Sequence, residues 1–317
     1  MPEEIKPKKT NWERELLEKL AFASIKEQRR NRFWSVFFKT LAFVYLFMLL
    51  FYMLDWIGGN SGHSSEDHTA LIDIQGEIGV GAEVTADSVI SSLHDAYDNK
   101  HTKGIILRIN SPGGSPVQAG IINDEIRRLK EKHKKPVYAV VEESCASAAY
   151  YIAVAADEIY VDKASIVGSI GVLMDGFGFT GLMDKLGVER RLMTAGVNKG
   201  FLDPFSPQTK PQRAHAQTLL DQIHKQFIQV VRDGRGKRLK ETPELFSGLF
   251  WSGEQAVELG LADGLGNLDY VAREIVKAED VIDYTRHENV AERLAKRFGA
   301  AMGEGAVRAM QTMPQVR

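Results

Sequence analysis

Thr40 to Leu54 reads TLAFVYLFMLLFYML, fifteen residues without one charged side chain. A run of this kind has few folding options. In lipid every backbone N–H and C=O must be satisfied within the segment, so it folds as a helix. Phe33–Phe38 (FWSVFF) extends the run on its N-terminal side, and Trp56 and Ile57 extend it on the other. Lys39 interrupts it, but a lysine can snorkel toward the headgroups. At 1.5 Å per residue, Phe33–Ile57 crosses a hydrocarbon layer of about 30 Å. Aromatic residues crowd both ends, as interfacial belts do. A buried core helix and a cleaved signal peptide are the competing readings. Against the second, the run is long and no clear small-x-small cleavage site follows.

Charge sets the orientation. Lys26, Arg29, Arg30, Arg32 and Lys39 lie on the N-terminal side, whereas GGNSGHSSED follows the run and no Lys or Arg appears before Lys100. The positive-inside rule predicts a cytoplasmic N-terminus, with the remainder across the membrane. In a bacterium this is a single-pass protein of the inner (plasma) membrane whose main domain is periplasmic or otherwise extracytoplasmic. The expected order is a cytoplasmic segment over 1–32, a transmembrane anchor over 33–57, a flexible Gly/Ser-rich linker over 58–68, a globular domain over 69–284 and a tail over 285–317.

The globular part has the composition of a folded protein, since 44% of the 317 residues are hydrophobic and 26% charged. A net charge of −2 gives no basic field for nucleic acid, and the runs Lys26–Arg32 and Arg127–Lys135 are local. Cys145 is the sole cysteine, so the chain builds no intrachain disulfide. No ligand pattern for a metal or a nucleotide is present, and no cofactor is expected. Ala70–Ile74, Gly104–Ile109 and Val137–Val141 read as strands. Asp87–Tyr97 and Val117–Lys132 carry helical spacing. Strands alternating with helices at these intervals imply βαβ units and a largely parallel sheet.

Two loops follow two of the buried strands. In Asn110–Ser115 (NSPGGS), Gly-Gly after Pro turns the backbone sharply and presents N–H groups without side-chain obstruction. Such a turn can bind a developing oxyanion or merely connect a strand to a helix. In Cys145–Tyr151 (CASAAYY), a serine between small residues stands where a strand passes into a helix. That is the logic of a nucleophile elbow, although Ser147 equally reads as a helix N-cap. A nucleophilic serine needs a base. No histidine lies between His133 and His215. A lysine can serve when burial makes it neutral. Lys199, in MTAGVNKGFLDPF, has small and apolar neighbours; a plain surface lysine is the alternative. Cys145 lacks a histidine partner and reads as a small buried filler, and Glu142 and Glu143 read as polar loop residues.

Taken together, NSPGGS, SCASAAYYIAVAADEIY, VGSIGV (Val167–Val172) and KGFLDPFSP resemble the signal peptide peptidase A family, peptidase family S49, in order and spacing over roughly residues 69 to 270. The nearest likeness is to its short, single-repeat bacterial form with one N-terminal anchor. The resemblance implies an α/β fold, the ClpP/crotonase-type superhelix of ββα units, with residues 69–284 as a serine peptidase domain. It also implies roles: Ser147 as nucleophile, Lys199 as general base, Ser169 orienting the lysine, and the N–H groups of Gly114 and Ala148 as the oxyanion hole. Remnant signal peptides and other unfolded hydrophobic peptides at the bilayer would be the substrates, and Leu173, Met174 and Phe201 suit them. A closed homo-oligomeric ring of about eight subunits would be the assembly. One departure stands out, because the family often has Gly-Gly after the serine and this chain has Ala148-Ala149. Two other readings remain open: an inactive membrane-bound scaffold on the same fold, and a crotonase-type acyl-CoA enzyme, which a thioester-substrate assay would separate from a peptidase.

Overall fold

A computed structural model of the chain describes residues 12–57 and 66–286. Residues 1–11 of the expected cytoplasmic segment, 58–65 of the linker and 287–317 of the tail lie outside the described residues. The chain divides into two units, Met1–Asn60 and Ser61–Arg317.

In the first unit a single helix, α1 (Trp12–Ile57), runs for 46 residues. Its Phe22–Leu50 stretch is long and apolar enough to cross a membrane, and none of it is buried against protein. It begins N-terminal of the expected Phe33 boundary. Lys26, Arg29, Arg30 and Arg32 fall in that extra part, and their charges favour the headgroups over hydrocarbon. Phe33–Leu50 is the portion common to both boundaries.

The second unit is built on an eight-stranded sheet. Strands β1 (His68–Gln75), β2 (Thr102–Ser111) and β3 (Val137–Ala146) pair in parallel. Helices α2 (Ala86–Asp98) and α3 (Pro116–His133) make the crossovers. Their starts are written in the sequence. Thr85 forms a capping box with Ser88, and Ser115 accepts from the Gln118 N–H just before Pro116. Parallel strands covered on both faces read as continuous apolar runs, and GIILRI does. Ile105, Leu107 and Ile109 join Val89, Leu93, Ile122 and Ile126 in the main core, while Ile106 points the other way, toward Leu71, Val140 and Val271.

The end of β3 splits the sheet. Tyr138–Val140 pair with β4 (Glu158–Val161), but Ser144–Ala146 pair with β5 (Ile166–Gly168). Between β3 and β4 lies the short helix α4 (Ala148–Ala153). Beyond β5 come α5 (Thr180–Leu186) and the 26-residue α6 (Lys210–Arg235). Strand β6 (Phe250–Ser252) is antiparallel to β5, β7 (Gly264–Leu265) borders β4, and β8 (Val281–Asp283) borders β1.

A buried ion pair locks α6 to this frame. Arg235 is 1% exposed; it donates to both Asp263 carboxylate oxygens, at 2.7 and 3.0 Å, and to the Gly260 carbonyl. Desolvation alone would raise the Asp263 pKa, but hydrogen bonds and charge from Arg235, with the Ile159 N–H and Arg238, hold it below the usual carboxylate range. A depressed folded-state pKa contributes stability above the unfolded value of about 3.9, and that stability fades as pH falls through the folded value. Asp263→Asn strands a buried guanidinium and should cost about 3–5 kcal/mol. Denaturant titration at pH 7 and pH 3 checks this. The variant should lose most at neutral pH and show a shallower acid limb; equal loss at both pH values would contradict the pairing.

Candidate active site

The loops after β2, β3 and β5 meet at the C-terminal edge of the sheet, where open parallel sheets bind ligands. Register brings them there. Ser111 lies opposite Cys145, and Ala146 lies opposite Gly168, so residues 112–114, Ser147 and Ser169 become neighbours.

Ser147 is the residue between β3 and α4. It occupies the N-cap position but makes no side-chain cap bond. Its backbone is at φ +54°, ψ −122°, a conformation a non-glycine residue holds at a cost of about 1–3 kcal/mol unless its surroundings enforce it. Here its N–H donates to the Gly168 carbonyl at 2.9 Å, and its own carbonyl accepts from Tyr151 at 3.0 Å. The strained turn thus leaves Oγ uncommitted, at a cavity of about 660 Å³ that Pro112, Gly114, Ala148, Ser169, Leu173 and His224 help to line. The capping alternative for Ser147 fails on the missing cap bond.

Two main-chain donors border the same cavity. Ala148 begins α4, where no intrahelical acceptor exists. Gly114 follows a turn in which Ile78 donates to the Gly113 carbonyl at 2.9 Å and Ser115 donates to the Ile78 carbonyl at 2.7 Å. Neither the Gly114 nor the Ala148 N–H has an acceptor among the described residues. Glycine is required at both turn positions. A Cβ on Gly113 (φ +108°) would stand 2.7 Å from the Ser147 Cβ, and one on Gly114 (φ +145°) would stand 2.0 Å from the Ile78 oxygen. Free N–H groups beside an uncommitted hydroxyl are the kind of donors that can stabilise an oxyanion.

Cys145 is fully buried, and burial pushes its thiol pKa well up, away from a nucleophilic thiolate. Ser169 lines the cavity in a left-handed conformation, φ +51°. Lys199 does not line it. From Leu173 to Lys199 no residue is buried, and only Thr180 and Met183 are half-buried. This excursion folds on itself through the Phe179–Phe205 ring stack and the Arg190–Asp203 ion pair, and it carries Lys199 exposed. The burial that the apolar neighbours of Lys199 suggested is therefore not supplied by its own chain.

Relatives place the chain. Residues 129–282 match the profile of Peptidase family S49, and residues 64–166 match that of Clp protease. A Synechocystis protein whose name carries the word protease is 32% identical over 204 residues, which cover 64% of this chain and 71% of that protein. The chain belongs to peptidase family S49. Protease 4 of Haemophilus influenzae is 32% identical over 221 residues, 68% of this chain and 35% of that protein. A Brucella melitensis protein named Na(+)/H(+) antiporter NhaA is 48% identical over 181 residues, 57% of this chain. The chain spans only a quarter (25%) of that protein's length.

The Clp protease match and the parallel sheet agree with the α/β, ClpP-type fold expected of an S49 chain. Sequence reasoning missed one wall of the cavity. Ile223, His224 and Phe227 reach it from α6, and Tyr151 packs on Phe227 with ring centroids 5.2 Å apart. The i, i+4 spacing of Ile223 and Phe227 marked an apolar helix face, but nothing local said which site it covers. Of the apolar residues expected near the site, Leu173 lines the cavity; Met174 and Phe201 do not.

Proposed function

We propose that this S49 chain is a membrane-anchored serine endopeptidase in which Ser147 attacks a peptide carbonyl and Lys199 of a neighbouring copy removes the hydroxyl proton. The observation that carries the reading is the strained Ser147 turn, with its uncommitted hydroxyl facing the cavity next to two unpaired N–H groups. The tetrahedral intermediate would place its oxyanion against the Gly114 and Ala148 N–H groups. Collapse expels the amine, which takes the proton from the lysine. A water that the same lysine deprotonates then hydrolyses the acyl-enzyme.

Exposure supports the shared base. Lys199 stands on an excursion whose Met193 and Val197 are 95% and 96% exposed. Such apolar surface favours burial against protein, and a second copy that covers it would also desolvate Lys199. Head-to-tail contacts of this kind close into rings, and about eight subunits is the proposed size. Ser169 would hold the lysine. The apolar part of the cavity wall, with Leu173, Ile223 and Phe227, suits hydrophobic peptides such as remnant signal peptides.

The charge asymmetry around α1 supports a cytoplasmic N-terminus and an extracytoplasmic catalytic unit. One labelling experiment tests nucleophile and orientation together. A membrane-impermeant fluorophosphonate added to right-side-out vesicles should phosphonylate Ser147 with loss of fluoride, as mapped by mass spectrometry. Modification only after lysis would reverse the orientation. Modification of another residue, or of none, would remove Ser147 as nucleophile.

A further inference from the structure

We infer that His224 is a positioning residue for this site: it clamps the Ile170 carbonyl and so holds Ser169 in its left-handed, cavity-facing conformation. The inference rests on the proposed role of Ser169 toward the lysine. His224 lies on α6, fifty-four positions along the chain from Ile170, and its Nε2 is 3.0 Å from the Ile170 carbonyl oxygen. A carbonyl only accepts, so Nε2 carries the proton and the imidazole is a donor at this contact.

The segment it holds is short and strained. Gly168 is at φ +111° and Ser169 at φ +51°. Main-chain bonds tie both flanks: Gly168 accepts from the Ser147 N–H at 2.9 Å, Ser169 donates to Leu249 at 2.8 Å, and Gly171 donates back to Ser169 at 2.9 Å. The Ile170 carbonyl is the exception, because a side chain holds it while the N–H of the same peptide, that of Gly171, donates to Ser169. Its Ile170 side chain is fully buried and Gly171 faces Gly248, where a Cβ would come within 2.9 Å. Without the imidazole the Ile170–Gly171 peptide is held only through the Gly171 N–H bond to the Ser169 carbonyl, so a rotation of that peptide pulls on the backbone of Ser169. A residue left-handed at φ +51° relaxes when one of its restraints is removed. His224 borders the same cavity as Ser147 and Ser169, so the effect is felt at the site itself.

Side-chain reach gives the test. Glutamine places an N–H near the position of Nε2, whereas asparagine is too short to meet the Ile170 carbonyl. Both are polar and suit a half-buried helix position, so both variants should fold. In full-length protein in detergent, His224→Asn should lower kcat about tenfold, the worth of one hydrogen bond, with KM changed less than about twofold. His224→Gln should recover most of that loss. In a Ser169→Ala background, His224→Asn should cost less than about twofold further, because the two act as a unit. Equal tenfold losses in both backgrounds would mean that His224 supports the fold and not Ser169, and would overturn the inference. So would a His224→Gln variant as impaired as His224→Asn. If Ser169→Ala is fully active while Ser147→Ala is dead, the positioning role fails and the Ser147 assignment stands. Hydrolysis retained by Ser147→Ala would overturn both.

Discussion

Ser147→Ala and Lys199→Ala should each abolish peptide hydrolysis without unfolding the protein. A nucleophile–base pair acts as a unit, and its loss elsewhere costs about 10⁴ to 10⁶ in kcat. The fold should survive both changes. The Ser147 hydroxyl makes no cap bond, and Lys199 is exposed with no carboxylate partner among the described residues. Lys199→Arg should be equally dead, because a guanidinium stays protonated. The double variant should be little worse than either single one. Hydrolysis of a fluorogenic hydrophobic peptide, alongside thermal melting, reads all four. Activity retained in a single variant would strike that residue from the mechanism.

Gly114→Ala should cost about 10² to 10³ in kcat, the usual effect of losing one oxyanion donor. The added Cβ would fall 2.0 Å from the Ile78 carbonyl oxygen, at a φ of +145° that side chains rarely adopt. The turn must move, and with it the Ser115–Ile78 hydrogen bond and the Gly114 N–H. Gly81→Ala is the control. Gly81 also has a positive φ, +79°, but a Cβ there meets nothing within 4 Å. It should carry backbone strain and leave kcat unchanged. If Gly114→Ala is as active as wild type while its melting temperature falls, the turn is structural and its N–H is no part of the oxyanion hole.

Much of the fold was legible because it is local. Gly104–Ile109 lies within Thr102–Ser111, and Val117–Lys132 within Pro116–His133, since apolar runs and caps announce themselves in short windows. The strand-to-helix junction at Ser147 was legible for the same reason. Its φ of +54° was not, because that conformation is enforced by the Gly168 carbonyl and by the glycine turn that packs on the Ser147 Cβ. The two-part pairing of β3, which sets Gly168 beside Ala146, depends on register between segments twenty residues apart. His224 lies farther still from the loops it joins. Lys199 shows the opposite limit. Its apolar neighbours read locally as a buried setting, yet within one chain they form an exposed surface.

That surface and the cavity belong to one proposal, a site completed between copies. Co-assembly of Ser147→Ala and Lys199→Ala chains in equal amounts tests it most directly. Each chain alone should be inactive. In randomly mixed assemblies joined by heterologous interfaces, about one interface in four should pair an intact Ser147 with an intact Lys199. Roughly a quarter of wild-type activity should therefore return. No recovery, with mixed assemblies demonstrated by differential tagging, would place serine and base in the same chain and contradict the shared site.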